Sequence, residues 1–138
     1  NDLTYVSFDL ETTGLSQIDD HITEIGAVKI KNGLEVGRLQ TFIKSPKPIS
    51  KKITELTSIT NEDIRNAPTI EEFMPKLMEF FGDNLLIAHN GRFDIGMLDK
   101  ALERMGKEHI KCSLINERKV IIYGLFKESI QNINGENR

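Results

Sequence analysis

Apolar and polar residues alternate over much of the first third of the chain. In the segment Leu3 to Leu10, every even position from residue 6 onward is apolar, and Asp9 lies among the polar odd positions. This alternation predicts a strand that buries one face. The segments Ile22 to Ile30 and Glu35 to Ile43 also have strand character and flank Asn32-Gly33, a pair that favours tight hairpin turns. We therefore predict three strands, the last two joined as an antiparallel hairpin.

The spacing of apolar residues becomes helical after the hairpin. Short helices are predicted around Ser50 to Leu56 and from Thr60 to Ile64. A longer helix is predicted over Thr69 to Phe81, because Glu72 follows Thr69 at the spacing at which the two side chains cap a helix start. Pro75 falls inside this helix, where it removes one backbone donor and should bend the axis.

A strand and a helix follow one another in the next part of the chain. Leu85 to His89 predicts a short buried strand, and Phe93 to Met105 predicts an amphipathic helix. A weaker pattern predicts another helix over Leu114 to Tyr123, and residues 132–138 resemble a frayed end. Since alternating strands and helices favour parallel pairing, we predict an α/β fold in which a mixed sheet, an antiparallel hairpin plus parallel strands, is flanked by helices.

Composition and charge limit the class of protein. The 138 residues suffice for one ordinary core, so we predict a single domain over residues 1–138. The net charge of −3 argues against binding nucleic acid through a broad basic surface, although an enzyme with bound cations can be acidic overall. With one cysteine, Cys112, and no apolar run of membrane-spanning length, we expect a cytoplasmic protein with no membrane partner.

Two carboxylates lie at the end of the first predicted strand. Asp9 and Glu11 are two residues apart, so alternation sends both to one face at a spacing of roughly 7 Å. Two acids on one face repel unless a cation lies beside them, and their hard oxygen atoms suit Mg²⁺ or Mn²⁺. Gly14 then turns the chain and exposes backbone amides for a nucleotide. The alternative for a bare pair of this kind is an ordinary solvated strand end.

A second polar cluster follows the buried strand at residue 85. His89 and Asn90 end that strand, and Asp94 falls in the first turn of the next helix. A carboxylate in a first turn is also what the helix dipole alone would favour, and His89 and Asn90 could serve as local caps. Without the first cluster, these three residues fit an ordinary helix start as well as they fit a functional site.

Together, the two clusters are far more specific than either one. Asp-x-Glu-Thr-Thr-Gly-Leu, then Ile-x-Glu-Ile-Gly-Ala at 22–27, then His-Asn-x-x-Phe-Asp at 89–94, occur in this order on these elements. This series resembles the DEDD exonuclease superfamily over about residues 3–110. More narrowly, it is similar to the proofreading exonuclease subunit or domain of bacterial replicative DNA polymerases, which has a ribonuclease H-like fold.

The resemblance implies 3′→5′ hydrolysis of the terminal phosphodiester of DNA by water, with two Mg²⁺ or Mn²⁺ ions bracketing the phosphate. Asp9, Glu11 and Asp94 match the catalytic metal ligands. The implied role is polymerase proofreading or DNA repair, and the implied partners are a single-stranded or frayed DNA 3′ end and a DNA polymerase. The residues that would meet the terminal nucleotide are Thr13, through its amide or hydroxyl, Leu15, against the base, and His89, Asn90 and Phe93, along the pocket. For Leu15 and Phe93, ordinary core or loop packing is the alternative.

The family's third motif, a His or Tyr followed five residues later by Asp, is missing after Asp94. His109 is followed at that spacing by Leu114, and Gln131 and Glu136 have the separation without the donor chemistry. Since this motif supplies the general base and a fourth carboxylate, we expect the chain as given to be poorly active or inactive. It is a fragment with an incomplete C-terminal part, a shortened homologue, or one part of a site that a partner completes.

Two further functional hypotheses remain open. The absent third motif is compatible with a non-catalytic module that binds nucleic acid or a polymerase and has kept only the fold. An exonuclease directed at RNA is the other, because nothing in these motifs reads a 2′-hydroxyl group. The basic residues Lys44, Lys47, Lys51 and Lys52 are interpreted as a solvated loop, with phosphate contact as the alternative.

Overall fold

The computed structural model describes residues 3–110 and 120–122. The elements in these ranges are, in chain order, β1 Thr4–Thr12, β2 Ile22–Lys31, β3 Leu34–Phe42, α1 Lys51–Thr57, α2 Asn61–Ile64, α3 Ile70–Phe81, β4 Leu85–Ala88, α4 Gly91–Arg104 and β5 Val120–Ile122. None of the helices in this part of the chain is long and apolar enough to cross a membrane.

The strands form one mixed sheet with the order β3-β2-β1-β4-β5. β1 pairs antiparallel with β2, and β2 pairs antiparallel with β3. β4 lies parallel to β1, and β5 lies parallel to β4. The predicted combination of an antiparallel hairpin and parallel strands is therefore confirmed. The turn of the hairpin has Asn32 at φ 50° and Gly33 at φ 83°, the pair of left-handed conformations that a tight hairpin requires.

The start of α3 follows the predicted capping pattern. The Thr69 hydroxyl accepts a hydrogen bond from the Glu72 amide at 3.2 Å, and the Glu72 carboxylate accepts one from the Thr69 amide at 2.9 Å. These two bonds satisfy backbone donors that have no partner within the helix. Pro75 lies inside α3 as predicted, and the helix continues to Phe81.

The prediction of a helix over Leu114 to Tyr123 is wrong for residues 120–122. Val120–Ile122 is the strand β5, and Ile121 lies opposite Ile87 of β4. Three consecutive apolar residues fit a buried parallel strand as well as a helix, and only the distant partner strand decides between them. The remainder of that predicted helix, Cys112, and the frayed end predicted for 132–138 lie outside the described residues.

The main core lies between one face of the sheet and the helices α3 and α4. Phe8 and Ile25 from the sheet, Leu77 from α3 and Leu98 from α4 are all fully buried in it. A smaller cluster, made of Ile49, Ile59 and Ile64 with neighbouring side chains, packs beside it. Because the even residues of β1 face the main core, the odd residues, which include both predicted carboxylates, lie on the opposite face of the strand.

Candidate active site

Asp9 and Glu11 lie near the carboxyl end of β1, and both are partly buried. In the pairing with β2, Asp9 is opposite Gly26 and Glu11 is opposite Glu24. The register shifts between Glu11 and Thr12, where the strand leaves the regular ladder. Because Gly26 has no side chain, the residue opposite Asp9 on β2 does not cover the Asp9 carboxylate.

Asp94 lies in the first turn of α4, and only 3% of its surface is exposed. Its backbone amide donates to the Asn90 carbonyl oxygen at 2.9 Å. One carboxylate oxygen, Oδ2, is buried and finds no hydrogen-bond partner among the described residues. Burial, followed by repulsion from Asp9 and then from Glu11, raises the pKa of Asp94 from 3.8 to about 8. The fold therefore brings the carboxylate of α4 within electrostatic reach of both carboxylates of β1.

The chemistry of these residues fits a divalent cation. A buried carboxylate oxygen that has no donor within the described ranges, on a group that two further carboxylates repel, is an unfavourable arrangement that a positive ion would relieve. Among the described residues, however, no three acidic, His or Cys side chains are already gathered closely enough to form a group that could hold a metal. Mg²⁺ commonly keeps several waters and uses few protein carboxylates, so it does not need a closed protein cage.

Thr13 and Leu15 occupy opposite environments in the loop that links β1 to β2. Thr13 is buried, its amide donates to the His21 carbonyl at 2.9 Å, and its hydroxyl donates to Asp20 at 2.8 Å. Both groups through which Thr13 was predicted to meet DNA thus have partners inside the loop, and that contact stays a prediction. Leu15 is 87% exposed, which is incompatible with core packing.

The three remaining predicted residues lie just before Asp94 in the sequence. His89 and Asn90 are exposed, and Phe93 is partly buried against the main core. Asn90 occupies the N-cap position of α4, but within the described residues its side chain makes no capping hydrogen bond. The interpretation of Asn90 as a side-chain cap is therefore wrong, whereas its contact with a nucleotide stays a prediction.

Two contacts that the sequence did not predict attach the segment that joins β1 to β2, called the 12–21 loop below, to α4. Arg104, in the last turn of the helix, donates to the Ile18 carbonyl at 2.7 Å, and the side-chain amide of Gln17, through Nε2, donates to the Arg92 carbonyl at 3.3 Å. The Arg104 guanidinium also lies 3.4 Å from His21 Nδ1. Burial and then the Arg104 charge lower the pKa of His21. The loop that exposes Leu15 is thereby held against the helix that carries Asp94.

Asp20 is a buried acid that the sequence analysis did not single out. Its carboxylate accepts hydrogen bonds from the Thr13 hydroxyl at 2.8 Å, the Ser16 amide at 2.9 Å and the Lys47 ammonium at 2.8 Å. Burial alone would raise the pKa of Asp20, but the bonds from Lys47, Ser16 and Thr13 outweigh it and lower the pKa to about 2. The position of Asp20, two residues before the buried strand β2, was a possible signal, but Lys47 is 27 residues away in sequence.

Comparison with known proteins gives one family. The family model RNase_T, described as Exonuclease, matches residues 6–136. The chain is 52% identical over 103 residues to a PolC-type DNA polymerase III of Clostridium perfringens, which covers 75% of the chain. It is 47% identical over 102 residues, 74% of the chain, to the PolC-type DNA polymerase III of Caldanaerobacter subterraneus. The chain spans only 7% of the length of each of these two polymerases.

The fold is also similar to that of a solved nuclease. The crystal structure of E. coli exonuclease I in complex with a dT13 oligonucleotide aligns with 87% of the chain and with 28% of its own length. The TM-score is 0.75 at 16% sequence identity. This likeness shows a ribonuclease H-like fold, as predicted from the motifs.

Proposed function

Since the chain belongs to the RNase_T exonuclease family, we propose that it removes nucleotides from the 3′ end of DNA with divalent cations held by Asp9, Glu11 and Asp94. The membership confirms the resemblance to exonucleases that the motifs indicated. The observation that carries the site assignment is the Asp94 carboxylate, which is buried, is repelled by Asp9 and Glu11, and has one oxygen with no partner in the part of the chain that the structure describes. A cation between α4 and β1 is the simplest ligand that would stabilise all three charges.

The proposed roles follow from the elements that carry these residues. Asp9 and Glu11 approach from a strand in the middle of the sheet, and Asp94 approaches from a helix packed on the same core. Residues fixed on strands and helices hold ligand geometry better than residues on loops. When bound, two Mg²⁺ or Mn²⁺ ions would supply a nucleophile at neutral pH and stabilise charge on the leaving oxygen. Asp94 must lose its proton before it can serve as a ligand.

The proposed substrate contacts are the exposed residues around the three acids. Leu15 extends into solvent from a braced loop, where its side chain can pack against the terminal base. His89 and Asn90 are exposed just before α4, and Phe93 lies beside Asp94, so they are proposed to border the same pocket. Thr13 is proposed to support the loop in addition to any contact with the 3′ end.

DNA as substrate and a DNA polymerase as partner are proposed from the relatives. Their names describe DNA polymerases, and the identity of 52% extends over three quarters of the chain. The proposed role is proofreading within such a polymerase, in the cytoplasm. The general base and the fourth carboxylate of the family pattern are proposed to come from outside the segment that carries the three acids, since no His or Tyr after Asp94 is followed five residues later by Asp.

The test is release of labelled nucleotide by the full-length protein that contains this chain. A single strand labelled at its 3′ end should lose the label rapidly with Mg²⁺ or Mn²⁺ and not in excess chelator. Asp94→Asn should abolish release, whereas Asp83→Asn, the same change at an exposed position, should not. A 5′-labelled strand should shorten stepwise, and a matched RNA strand should be cut more slowly. Binding without any release, unaffected by chelator, would instead support the non-catalytic module.

A further inference from the structure

Asp20 accepts three hydrogen bonds that close its own loop and join that loop to the segment after β3. Thr13 donates from the beginning of the 12–21 loop, Ser16 donates from its middle, and Lys47 donates from the segment that follows β3. Asp20 itself is 7% exposed, whereas the Lys47 side chain remains about half exposed. A buried charge is tolerated at this position because three donors compensate it.

The backbone around Asp20 closes the loop tightly. The Thr13 amide donates to the His21 carbonyl at 2.9 Å, and the His21 amide donates to the Thr13 hydroxyl at 3.1 Å. Gly14 lies so close to the carboxylate that an added Cβ would overlap it, with Asp20 Cγ only 2.8 Å away. Glycine is therefore required at this position by close approach to Asp20.

These contacts determine where Leu15 lies. Leu15 is between Gly14, which packs on the Asp20 carboxylate, and Ser16, whose amide donates to that carboxylate. Its own side chain is 87% exposed, so nothing in the core holds it in place. The position of Leu15 is thus set mainly by the packing of Gly14 on the Asp20 carboxylate and by the hydrogen bond from the Ser16 amide to that carboxylate.

We propose that Asp20 is a positioning residue that fixes the 12–21 loop so that Leu15 meets the base of the 3′-terminal nucleotide. The inference rests on the proposed exonuclease function and adds a residue to it. A loop that is ordered before the substrate arrives avoids the entropy cost of ordering during binding. Since the loop follows β1, the strand that carries Glu11, its order also fixes the distance between the base contact and the proposed ligands.

The experiment compares Asp20→Asn with Asp19→Asn in the full-length protein. Asp19 is exposed and adjacent, so it receives the same chemical change without the three bonds. Steady-state hydrolysis is measured on a single strand with a normal 3′-terminal nucleotide and on the same strand with an abasic one. We expect Asp20→Asn to raise KM about tenfold on the normal strand, with kcat changed less than about threefold. On the abasic strand it should match the unmodified protein, because Leu15 has no base to contact.

A purely structural role gives a different pattern. If Asp20 only stabilises the fold, Asp20→Asn lowers activity on both strands by the same factor, and this result would overturn the proposal. Equal behaviour of Asp20→Asn and Asp19→Asn would overturn it as well. If the unmodified protein releases no nucleotide from either strand, the proposed function fails, which is a separate outcome.

A second variant covers the case in which Asp20→Asn does not fold. Gly14→Ala keeps the Asp20 carboxylate chemically intact, but the added methyl group overlaps it and must displace it from Gly14. It should show the same selective rise in KM on the normal strand. Thermal unfolding of each variant identifies those that remain folded, and a folded Gly14→Ala protein with unchanged KM would contradict the proposal.

Discussion

Replacing Asp94 by Asn should stabilise the metal-free chain, and by more as the pH rises. Asp94 has a pKa of about 8 in the folded chain and 3.8 as its ordinary value, which we take for the unfolded chain. Below about pH 4 the carboxyl is protonated in both states and has little effect on stability. Between pH 4 and 8 the unfolded chain releases the proton and the folded chain keeps it, so the free energy of unfolding falls with rising pH. Above pH 8 the loss is constant.

The magnitude follows from the size of the pKa difference. About four units at about 1.4 kcal/mol each would give a loss of about 6 kcal/mol above pH 8. Asp9 and Glu11 are only partly buried, so water screens part of their repulsion, and we expect a gain of about 3–5 kcal/mol for Asp94→Asn at pH 8. At pH 4 the gain should be close to zero.

Urea unfolding in excess chelator at pH 4, 6 and 8 measures this gain. Asp83→Asn, at an exposed position, serves as the matched control and should leave the free energy of unfolding unchanged at all three pH values. Addition of Mg²⁺ or Mn²⁺ at pH 8 should stabilise the unmodified chain and not Asp94→Asn. A loss of stability in Asp94→Asn at pH 8, or a gain that does not vary with pH, would refute the convergence of the three carboxylates.

Three further substitutions test the loop and the helix start. Asp20→Asn should cost about 1–2 kcal/mol at pH 7, because a pKa lowered to about 2 contributes stability above about pH 4, and the difference from the unmodified chain should vanish as the pH falls from 4 to 2 in acid unfolding. Leu15→Ala should change the free energy of unfolding by less than about 0.5 kcal/mol, since the side chain is exposed, while raising KM for single-stranded DNA. Thr69→Ala should lower the free energy of unfolding by about 1 kcal/mol in thermal unfolding, because the Thr69 hydroxyl no longer accepts the hydrogen bond from the Glu72 amide.

The local parts of the fold were predictable because their signals are local. Alternation along β1 placed Asp9 and Glu11 on the face away from the core, and Asn32-Gly33 placed the hairpin turn. The observed β1 continues to Thr12 rather than ending at Leu10, because pairing with β2 carries the strand two residues further. α4 begins at Gly91 rather than Phe93, which leaves Asp94 in the first turn as predicted.

The contacts between distant segments were not predictable from spacing. The bond from Lys47 to Asp20 joins residues 27 positions apart, and the bond from Arg104 to Ile18 joins residues 86 apart. Lys47 had been interpreted as part of a solvated loop, yet its ammonium is held by a buried carboxylate. Such pairs form because the sheet brings the loop after β1 next to α4 and to the segment after β3, and no periodic pattern records that proximity.

The cost of burying Asp94 and the proposed activity have the same physical origin. A carboxylate that is 3% exposed and repelled by two others lowers the stability of the metal-free fold. A cation that binds the folded chain alone, at about 100 times its Kd, adds about 2.7 kcal/mol of stability, which offsets much of that cost. The main core, with Phe8 of β1 and Leu98 of α4 both fully buried, holds the two elements that carry the acids in place before the cation binds. The free energy of folding therefore covers the cost of placing the three carboxylates near one another. Metal binding should become tighter as the pH rises toward 8, because Asp94 loses its proton there.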